Sequence, residues 1–400
     1  MISQRNQLGA FDLGSRKITF LLCEAVQQQF RLIGHAQIPS VGIQKGRIED
    51  AKKLTKALQR FCTELSHRFG TLPHTVCLSQ SGSHLQGMSY EMMLPLPGFR
   101  HCITQQNLEQ LRQLAEKKEL PEDTVSIHTC HQFYVINDTR VEHPVGHSAN
   151  QITAHYQMLF GKTQPIRDQL YTVNQFGFRV KYLVFSGIAS ALATTTSIER
   201  ENGVCVIDIG AQMTDFVVYQ HNTPVVMGTL SVGGKNFTYD LCSGLRISEA
   251  DAERLKCEQG IPELANPENS AEIWVVGDRS IGDKRVKRKH LHTILYARAQ
   301  ELFDYIVKCT GEEDIGRLLL AGVVLTGGGS LLKGIEKVAA ASFHCDTCVR
   351  GAIATVDTAL KSPSYATSVG LLQYALQSTK NAPVFLSFWQ RFASWFGKEV

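Results

Sequence analysis

The sequence predicts an α/β protein of two related lobes, each carrying an inserted subdomain. Three observations predict this class. The chain has 400 residues, too many for one compact core at about 100 to 200 residues per domain. A strand–turn–strand pattern occurs twice, and the composition changes between its two copies. With 43% hydrophobic and 20% charged residues, disordered, collagen-like and fibrous classes are excluded.

The repeated pattern is a hairpin with an acidic, glycine-containing turn. The first copy spans residues 8–23 around Asp12-Leu13-Gly14-Ser15, and the second spans 204–219 around Asp208-Ile209-Gly210-Ala211. The aspartates and the glycines of the two turns align without a gap. Turns favour Asp and Gly, so either copy alone is equally well explained as an ordinary hairpin. Finding both favours a duplication and hence two related lobes.

The remaining organisation follows from composition and periodicity. Apolar residues at helical spacing predict a helix over 51–69, closed by Gly70. The stretch after residue 84 is rich in His, Gln, Asn and Pro, which indicates an insertion. The predicted divisions are 1–84 and 161–200 for the first lobe core, 85–160 for inserted subdomain 1C, 201–237 and 321–380 for the second lobe core, 238–320 for inserted subdomain 2B, and 384–398 for a C-terminal helix.

Charge and cysteine usage narrow the class of protein further. Lys plus Arg total 41 against 37 Asp plus Glu, a net charge of +4, which is too small to indicate a nucleic-acid binder. The 11 cysteines are irregularly spaced and follow no secretory signal, so we expect free thiols in a reducing compartment. Cys345 and Cys348 form only half of a zinc site. No run approaches about 20 apolar residues, so no membrane span is expected.

Glycine turns after apolar strands indicate a nucleotide cradle. Gly14 and Gly210 lie in the two hairpins, and Gly327-Gly328-Gly329 follows a third apolar strand. Backbone N–H groups in such turns surround phosphate oxygens, and glycine permits close approach. Asp12 and Asp208 suit a hydrated Mg²⁺ ion, which takes only one or two carboxylates. Ser15 and Lys17 would then face phosphate; each turn taken singly is also explained as a purely structural bend.

These motifs resemble those of the actin-like ATPase superfamily, and within it the FtsA family of bacterial cell division proteins. Residues 12–15 resemble its first phosphate motif, 208–215 the second and 325–329 the adenosine motif. Further family-like signatures cover nearly the whole chain, at 78–84, 232–240, 252–256 and 365–372. The resemblance implies an actin-like two-lobed ATPase fold that binds ATP and Mg²⁺.

The resemblance also implies roles for individual residues. Thr214 belongs to the second phosphate motif, and Gly233 and Gly234 to a signature that adjoins the nucleotide. Glu253 and Lys256 would hold the adenosine ribose and base edge, although an exposed surface pair explains their spacing equally well. The family commonly has a glycine run where Ala211-Gln212-Met213 stands. We therefore expect ATP binding with, at most, slow hydrolysis.

The C-terminal segment predicts an amphipathic helix. At about 100° per residue, six aromatic side chains share one stripe and the polar residues fall opposite. The six are Phe385, Phe388, Trp389, Phe392, Trp395 and Phe396. Trp and Phe at a polar boundary favour a helix lying in the membrane interface, as the FtsA family has at its C-terminus, over a helix docked on the protein's own core.

The densest basic segment is residues 284–290, within predicted subdomain 2B. A solvated surface explains such a run equally well. By resemblance, it corresponds to the surface that receives the C-terminal tail of the tubulin-like protein FtsZ, with Lys284 and Arg298 as candidate contacts. An extended, partly acidic peptide would suit it.

Together these features predict a protein that polymerises and anchors FtsZ filaments to the cytoplasmic face of the inner membrane at the division septum. Inserted subdomain 1C would recruit later division proteins. Two alternatives share the fold: an actin-like inner-membrane assembly factor of a pilus or secretion system, and a small-molecule kinase with a general base for its acceptor hydroxyl. The aromatic terminal helix argues against the kinase.

Overall fold

A computed structural model describes residues 7–26, 29–98, 101–264, 270–275, 282–312, 314–353 and 357–380. The predicted C-terminal helix at 384–398, with its six aromatic residues, lies outside these ranges.

The described chain alternates strands and helices. The strands are β1 (Gln7–Leu13), β2 (Lys17–Val26), β3 (Gln29–Pro39), β4 (Ile43–Gln44), β5 (Arg47–Ile48), β6 (Thr75–Gln80), β7 (Leu85–Pro95), β8 (His101–Cys102), β9 (Thr124–Ile136), β10 (Thr139–Val141), β11 (Ser148–Ala149), β12 (Gln151–Lys162), β13 (Arg179–Phe185), β14 (Val204–Ile209), β15 (Thr214–Gln220), β16 (Thr223–Leu230), β17 (Glu272–Val275), β18 (Lys284–Lys287), β19 (Val323–Thr326) and β20 (Thr347–Val349). The helices are α1 (Ala51–Phe69), α2 (Gln105–Glu116), α3 (Thr163–Asn174), α4 (Ser186–Thr194), α5 (Ser197–Asn202), α6 (Gly234–Leu245), α7 (Glu249–Gln259), α8 (Arg288–Thr310), α9 (Ile335–Phe343) and α10 (Ala366–Lys380).

Two five-stranded sheets confirm the predicted duplication. The first has the order β13-β6-β1-β2-β3 and forms lobe I, and the second has the order β16-β15-β14-β19-β20 and forms lobe II. In each, a three-stranded antiparallel meander is extended by two parallel strands. The two sheets therefore repeat one topology, and the two hairpins occupy equivalent places in it.

The registers of the hairpins are also equivalent. Asp12 pairs with Thr19 across β1 and β2, and Asp208 pairs with Asp215 across β14 and β15. Directly opposed residues in an antiparallel pair project from the same face of the sheet. Each aspartate thus shares its face with the residue seven positions later.

The first insertion has its own sheet and core. Strands β10-β9-β12-β7 form a four-stranded sheet, with α2 against it and a core that includes Leu111, Ile152 and Ala154. Strand β7 lies close to edge strand β16 of lobe II, where a Cβ atom on Gly87 would stand 2.0 Å from the Met227 carbonyl oxygen. The inserted subdomain thus contacts lobe II as well as lobe I.

The second insertion shares the core of lobe II instead of forming its own. Leu241 of α6 and Leu295 of α8 belong to the same buried cluster as Ile207 and Leu325 of the sheet. The predicted boundary between residues 237 and 238 falls inside α6, which runs unbroken through it. Helices α6, α7 and α8 therefore pack with the second hairpin in one core.

Two buried helices join the lobes. Every residue of α4 is buried, and α10 crosses α4 so closely that a Cβ on Gly370 would lie 1.7 Å from the Ala189 carbonyl oxygen. No larger residue fits without moving the helices apart. This crossing places Ser190 and Thr367 near the end of β14.

The cysteines are free thiols, as predicted from their spacing. Within the described residues, none of the helices combines the length and hydropathy that a bilayer crossing requires.

Candidate functional site

The site is built on the two aspartates at the ends of β1 and β14. Ser79 donates its hydroxyl to Asp12 Oδ1 at 2.8 Å. Asp208 Oδ2 accepts two hydroxyls, from Ser190 at 2.5 Å and from Thr367 at 2.8 Å. Each carboxylate is therefore oriented by hydroxyl donors from neighbouring strands or helices, as a preorganised ligand must be.

The electrostatics of the site favour a bound cation. Burial raises the pKa of Asp12 to about 6, and the nearby charge of Asp208 adds to the effect of burial. Burial likewise raises the pKa of Asp208. Two like-charged groups in a low-dielectric place are costly to ionise together unless a counter-charge joins them.

Lys17 supplies one such counter-charge. Burial lowers the pKa of Lys17, and the charges of Asp12 and Asp208 oppose that shift. The ammonium also lies 3.6 Å from the centroid of the Tyr365 ring, a cation–π contact that fixes its position. The predicted phosphate-facing lysine is thus placed between the two acids and an aromatic support.

Asp215 is a third acid on the same face of lobe II. It is only 4% exposed, and burial, reinforced by the charges of Asp208 and Asp12, raises its pKa to about 7. Asp215 is therefore a third buried acid beside Asp12 and Asp208, in the space between the two lobes, which we call the cleft.

At two positions of the turn 327–329, neighbouring atoms come so close that only glycine fits. Gly327 has φ of +81°, and a Cβ there would lie 2.2 Å from Asp208 Oδ1, so only glycine fits beside the acid. A Cβ on Gly329 would lie 2.4 Å from Ile209 Cγ2. Gly328 between them meets nothing within 4 Å, so its surface is open to a ligand.

The two hairpin glycines close their own turns. Cβ atoms on Gly14 and Gly210 would stand 2.8 Å from the Lys17 oxygen and 2.9 Å from the Met213 oxygen, respectively. The equivalent distances show that the two turns have the same conformation, as the duplication requires. Ser15, in the first turn, is partly exposed.

The turn at Gly233 and Gly234 packs on the second hairpin. The N–H of Gly234 donates to the Gly210 oxygen at 2.9 Å, and helix α6 begins at this glycine. Thr214 donates its hydroxyl to the Val232 oxygen at 2.7 Å. The contribution of Thr214 is therefore to hold this turn against the hairpin, with its hydroxyl already engaged.

Glu253 and Lys256 are brought together at the same place. Lys256 Nζ donates to Glu253 Oε2 at 2.6 Å, to Thr238 Oγ1 at 2.8 Å and to the Gly234 oxygen at 2.9 Å. Burial raises the pKa of Glu253, but hydrogen bonds from Lys256 and Thr238 outweigh it and bring the value to about 2. The pair adjoins the second hairpin, and a role in holding ribose stays a prediction.

Polar contacts among the described residues cross the cleft. Arg16 Nη1 lies 2.8 Å from Glu253 Oε1, which joins the first hairpin to α7. The Gln212 side chain accepts the backbone N–H of Lys45 at 2.7 Å. Gln212 is the middle residue of the segment 211–213, where the resemblance predicts a glycine run, and its side chain reaches the opposite lobe.

The donor set fits a hydrated divalent cation and phosphate. Asp12 and Asp208 offer carboxylate oxygens, which Mg²⁺ prefers. Thr19, opposite Asp12, is fully buried and its hydroxyl has no hydrogen-bond partner in the described residues. Such an atom is expected where a ligand or its water completes the site. Arg16, Lys17 and the exposed glycine backbone can accommodate the anion.

The predicted partner cations prove to be paired. Arg298 donates to both carboxylate oxygens of Asp240, at 2.6 and 3.0 Å, and also pairs with Glu301. Lys284 donates to the Leu245 oxygen at 2.6 Å. Within the same basic segment, Lys287 and Lys289 are exposed. Arg298 and Lys284 therefore stabilise the second insertion. The exposed positive charge of the segment is carried by Lys287 and Lys289.

The half-site at Cys345 and Cys348 has no completing ligands among the described residues, since no group of three or more His, Cys, Asp or Glu side chains there is arranged to hold a metal. The thiol of Cys348 instead accepts from Arg350 at 3.5 Å.

Sequence reasoning identified the acids and glycines but missed most of their partners. Ser79 and Thr367 lie within the family-like signatures, so inspection of those hydroxyls would have found them. Ser190 carries no local signal, and Arg16 and Gln212 gave no indication of contacts across the cleft. Their partners lie far away in the chain and depend on the tertiary structure.

Two family models match this chain. "Cell division protein FtsA" matches residues 205–370, which cover the second hairpin, the second insertion and the start of α10. "SHS2 domain inserted in FTSA" matches residues 82–160, the first insertion. The two matched ranges thus correspond to separate structural units.

Full-length relatives show the same similarity. Cell division protein FtsA of Pseudomonas aeruginosa is 26% identical over 375 residues, covering 92% of this chain and 88% of the relative. FtsA of Escherichia coli strain K12 is 25% identical over 419 aligned positions, covering 99% of each.

Solved structures show the actin-like fold. The "PilM-PilN type IV pilus biogenesis complex" matches with a TM-score of 0.61 and 16% identity, covering 92% of this chain and 98% of the other. MreB5 of Spiroplasma citri bound to ADP matches with a TM-score of 0.55 and 14% identity, covering 95% and 100%. The predicted fold class is thereby confirmed.

Asp215 gives the site a testable pH dependence. The folded state holds its proton up to a pH of about 7, whereas the unfolded chain releases it near 3.8. The free energy of unfolding of the wild type should therefore fall, relative to Asp215→Asn, as pH rises between these values, by at most ~1.4 kcal/mol per pH unit. Urea titrations of the metal-free protein at several pH values measure this difference. Exposed Asp138→Asn is the control, and parallel pH curves for wild type and Asp215→Asn would contradict the assignment.

Proposed function

The chain belongs to the FtsA family of bacterial cell division proteins, and from this membership we propose that it binds ATP and Mg²⁺ in the cleft and attaches FtsZ filaments to the membrane. The attachment would operate at the division septum, on the cytoplasmic face of the inner membrane. Self-assembly into filaments and recruitment of later division proteins through the first insertion complete the proposal.

The observation that carries the nucleotide proposal is the convergence of three glycine turns on Asp12, Lys17 and Asp208. Mg²⁺, when bound, would neutralise phosphate charge from the side of the two acids. Hydroxyls of Ser79, Ser190 and Thr367 orient those acids. The open surface at Gly328 leaves room for the rest of the nucleotide. MreB5 of Spiroplasma citri, whose fold is similar, is bound to ADP in its solved structure, which supports nucleotide binding as such.

We propose binding with slow hydrolysis at most. Thr214 is committed to Val232, and Gln212 reaches Lys45, so neither side chain of the second loop is oriented for an attacking water. The nucleotide would serve as a structural element between the lobes, which its position between the two sheets favours.

For FtsZ, we propose the exposed part of the basic segment as the docking surface. Lys287 and Lys289 are exposed, while Arg285 lies 5.4 Å from the Trp274 ring, which is 55% exposed. A partly acidic peptide can pair with such lysines and cover the apolar ring. Arg298 would act indirectly, by holding α8 against α6 through Asp240.

Membrane attachment is proposed from the aromatic stripe at 385–396. Full burial of a large apolar side chain contributes about 1.5 to 3 kcal/mol, so six give roughly 10 kcal/mol before the cost of ordering is subtracted. The charged residues nearby are Arg391, Lys398 and Glu399, a net charge of +1. Insertion, rather than attraction to anionic lipid, would dominate.

The alternatives are less well supported. Likeness to PilM at 16% identity concerns the fold alone, whereas both family models and the full-length relatives are division proteins. Failure to transfer phosphate to a panel of acceptors would exclude a small-molecule kinase.

Gly328→Trp should abolish ATP binding. The indole would occupy the open surface at this turn, and its Cβ atom requires no movement of the backbone because nothing lies within 4 Å of it. Gly328→Ala, whose methyl group fits the same space, is the matched control and should bind almost normally. Titration with a fluorescent ATP analogue measures the affinity. Unchanged affinity in a well-folded tryptophan variant would refute the placement of the nucleotide.

Lys287→Glu combined with Lys289→Glu should weaken binding of an FtsZ C-terminal tail peptide at least tenfold, about 1.4 kcal/mol, through like-charge repulsion. Calorimetry measures the affinity. The same double reversal at Lys52 and Lys56 of α1, in lobe I, is the control. Arg298→Glu is unsuitable because it would set a carboxylate beside Asp240 and Glu301. Wild-type affinity in the first variant would exclude this surface.

Trp389→Glu combined with Phe392→Glu should release the protein from lipid vesicles, because an unpaired charge buried in the inserting face costs several kcal/mol. The matched control is Ser387→Glu with Ser394→Glu, on the polar side of the same helix. Co-sedimentation with liposomes measures binding, which in the wild type should survive 1 M salt, where the Debye length is about 3 Å. Retention of the aromatic double variant, or loss of the wild type in salt, would favour the docked helix instead.

A further inference from the structure

The hydrogen bond between Gln212 and Lys45 is one of the contacts that join the two lobes. Gln212 lies in the loop between β14 and β15 of lobe II, and Lys45 lies in the turn between β4 and β5 of lobe I. The acceptor is the side-chain oxygen of Gln212 and the donor is the backbone N–H of Lys45, at 2.7 Å. Because the two residues belong to different lobes, the contact constrains the relative position of the lobes.

The donor is held rigidly on lobe I. Gln169, which is buried, donates to the Gly46 oxygen at 2.7 Å. The Ser83 N–H donates to the Lys45 oxygen at 3.2 Å. A Cβ on Gly46 would stand only 2.0 Å from the Ser81 oxygen, so this turn is packed directly on the segment that follows β6. The N–H of Lys45 is therefore presented toward lobe II by a fixed backbone.

The acceptor is held rigidly on lobe II. The N–H of Gly210 donates to the Met213 oxygen at 2.8 Å, and the N–H of Lys235 donates to the Ala211 oxygen at 2.7 Å. The backbone on both sides of Gln212 is thus fixed by the loop itself and by the start of α6. Because both ends are anchored, the hydrogen bond transmits position from one lobe to the other.

We propose that Gln212 is an interlobe latch that holds the two lobes closed on the cleft. The ion pair of Arg16 with Glu253 crosses the cleft as well, but the Arg16 side chain is 72% exposed, and exposed ion pairs contribute little. The Gln212 contact is neutral, so salt does not screen it. A glycine at position 212 would have no side chain to make this contact.

The latch has a consequence that rests on the proposed ATP binding. A cleft already closed by the chain's own side chain changes little when nucleotide arrives, and nucleotide leaves it only after the latch opens. Removal of the latch should therefore accelerate nucleotide release. Gln212 acts here on the position of the lobes and is a positioning residue.

The direct test measures amide hydrogen exchange at Lys45 in the nucleotide-free, full-length protein. Gln212→Ala should accelerate exchange at Lys45 about fivefold, the factor that corresponds to about 1 kcal/mol for one net hydrogen bond. Gln212→Glu, which keeps an acceptor oxygen at the same reach, should restore protection. Gln220→Ala, at the other end of β15, is the matched control and should leave Lys45 unchanged. Equal exchange at Lys45 in wild type and Gln212→Ala would overturn the latch.

A second measurement separates the latch from the proposed function. Release of a fluorescent ATP analogue should be several-fold faster from Gln212→Ala than from the wild type or Gln220→Ala. If the wild type binds no nucleotide, the proposed function fails while the exchange result at Lys45 still decides the latch. If nucleotide binds and release is unaffected although Lys45 exchange increases, the latch exists but does not control release, and that consequence is refuted.

Discussion

The structure depends on keeping two carboxylates, Asp12 and Asp208, close together in a poorly solvated place. Burial raises the pKa of both carboxyl groups, and the charge of Asp208 raises that of Asp12 further, so the arrangement is favourable only with compensating contacts. Hydroxyl donors supply part of this compensation, and Lys17 supplies a positive charge. Because Ser190 and Thr367 come from α4 and α10, the acid of lobe II is bonded to helices whose apolar residues belong to the core of lobe I. The charge state of the site and the junction of the lobes are thereby coupled.

Close backbone approach is the second constraint, and it explains the glycines that matter. Gly327 lets a third strand's turn reach Asp208, Gly370 lets α10 cross α4, and Gly87 lets the first insertion rest on β16. The last contact is supported by Gln132, which donates to the Val225 oxygen at 3.1 Å. The first insertion therefore touches lobe II directly, and a rotation of the lobes must alter this contact.

Surface charge illustrates why residue type and position in the sequence do not suffice to assign a contact. Arg298 and Lys284 belong to a basic region, yet their charges are engaged by Asp240 and by the carbonyl of Leu245. Pairing converts them into supports of α6 and α8, and leaves Lys287 and Lys289 as the exposed charges. Similarly, Glu253 and Lys256 hold one another beside the second hairpin. A ligand that approaches either pair must replace existing hydrogen bonds before it gains new ones.

The sequence by itself determined the elements whose cause is local. Apolar runs and turns that contain Asp and Gly specified both hairpins, and helical spacing specified α1 to its ends, with Asp50 capping it. The repeated motif determined the duplication, because equal local patterns fold into equal hairpins.

Only the tertiary structure decided which groups meet: Thr367 reaches Asp208 across 159 positions and Gln212 reaches Lys45 across 167. Such contacts arise from the packing of α4, α10 and the two sheets. Two residues so far apart in the chain show no sequence pattern that would reveal their hydrogen bond. For the same reason the boundary at residue 238 was misplaced within α6, since composition changes there while the core of lobe II continues through the helix.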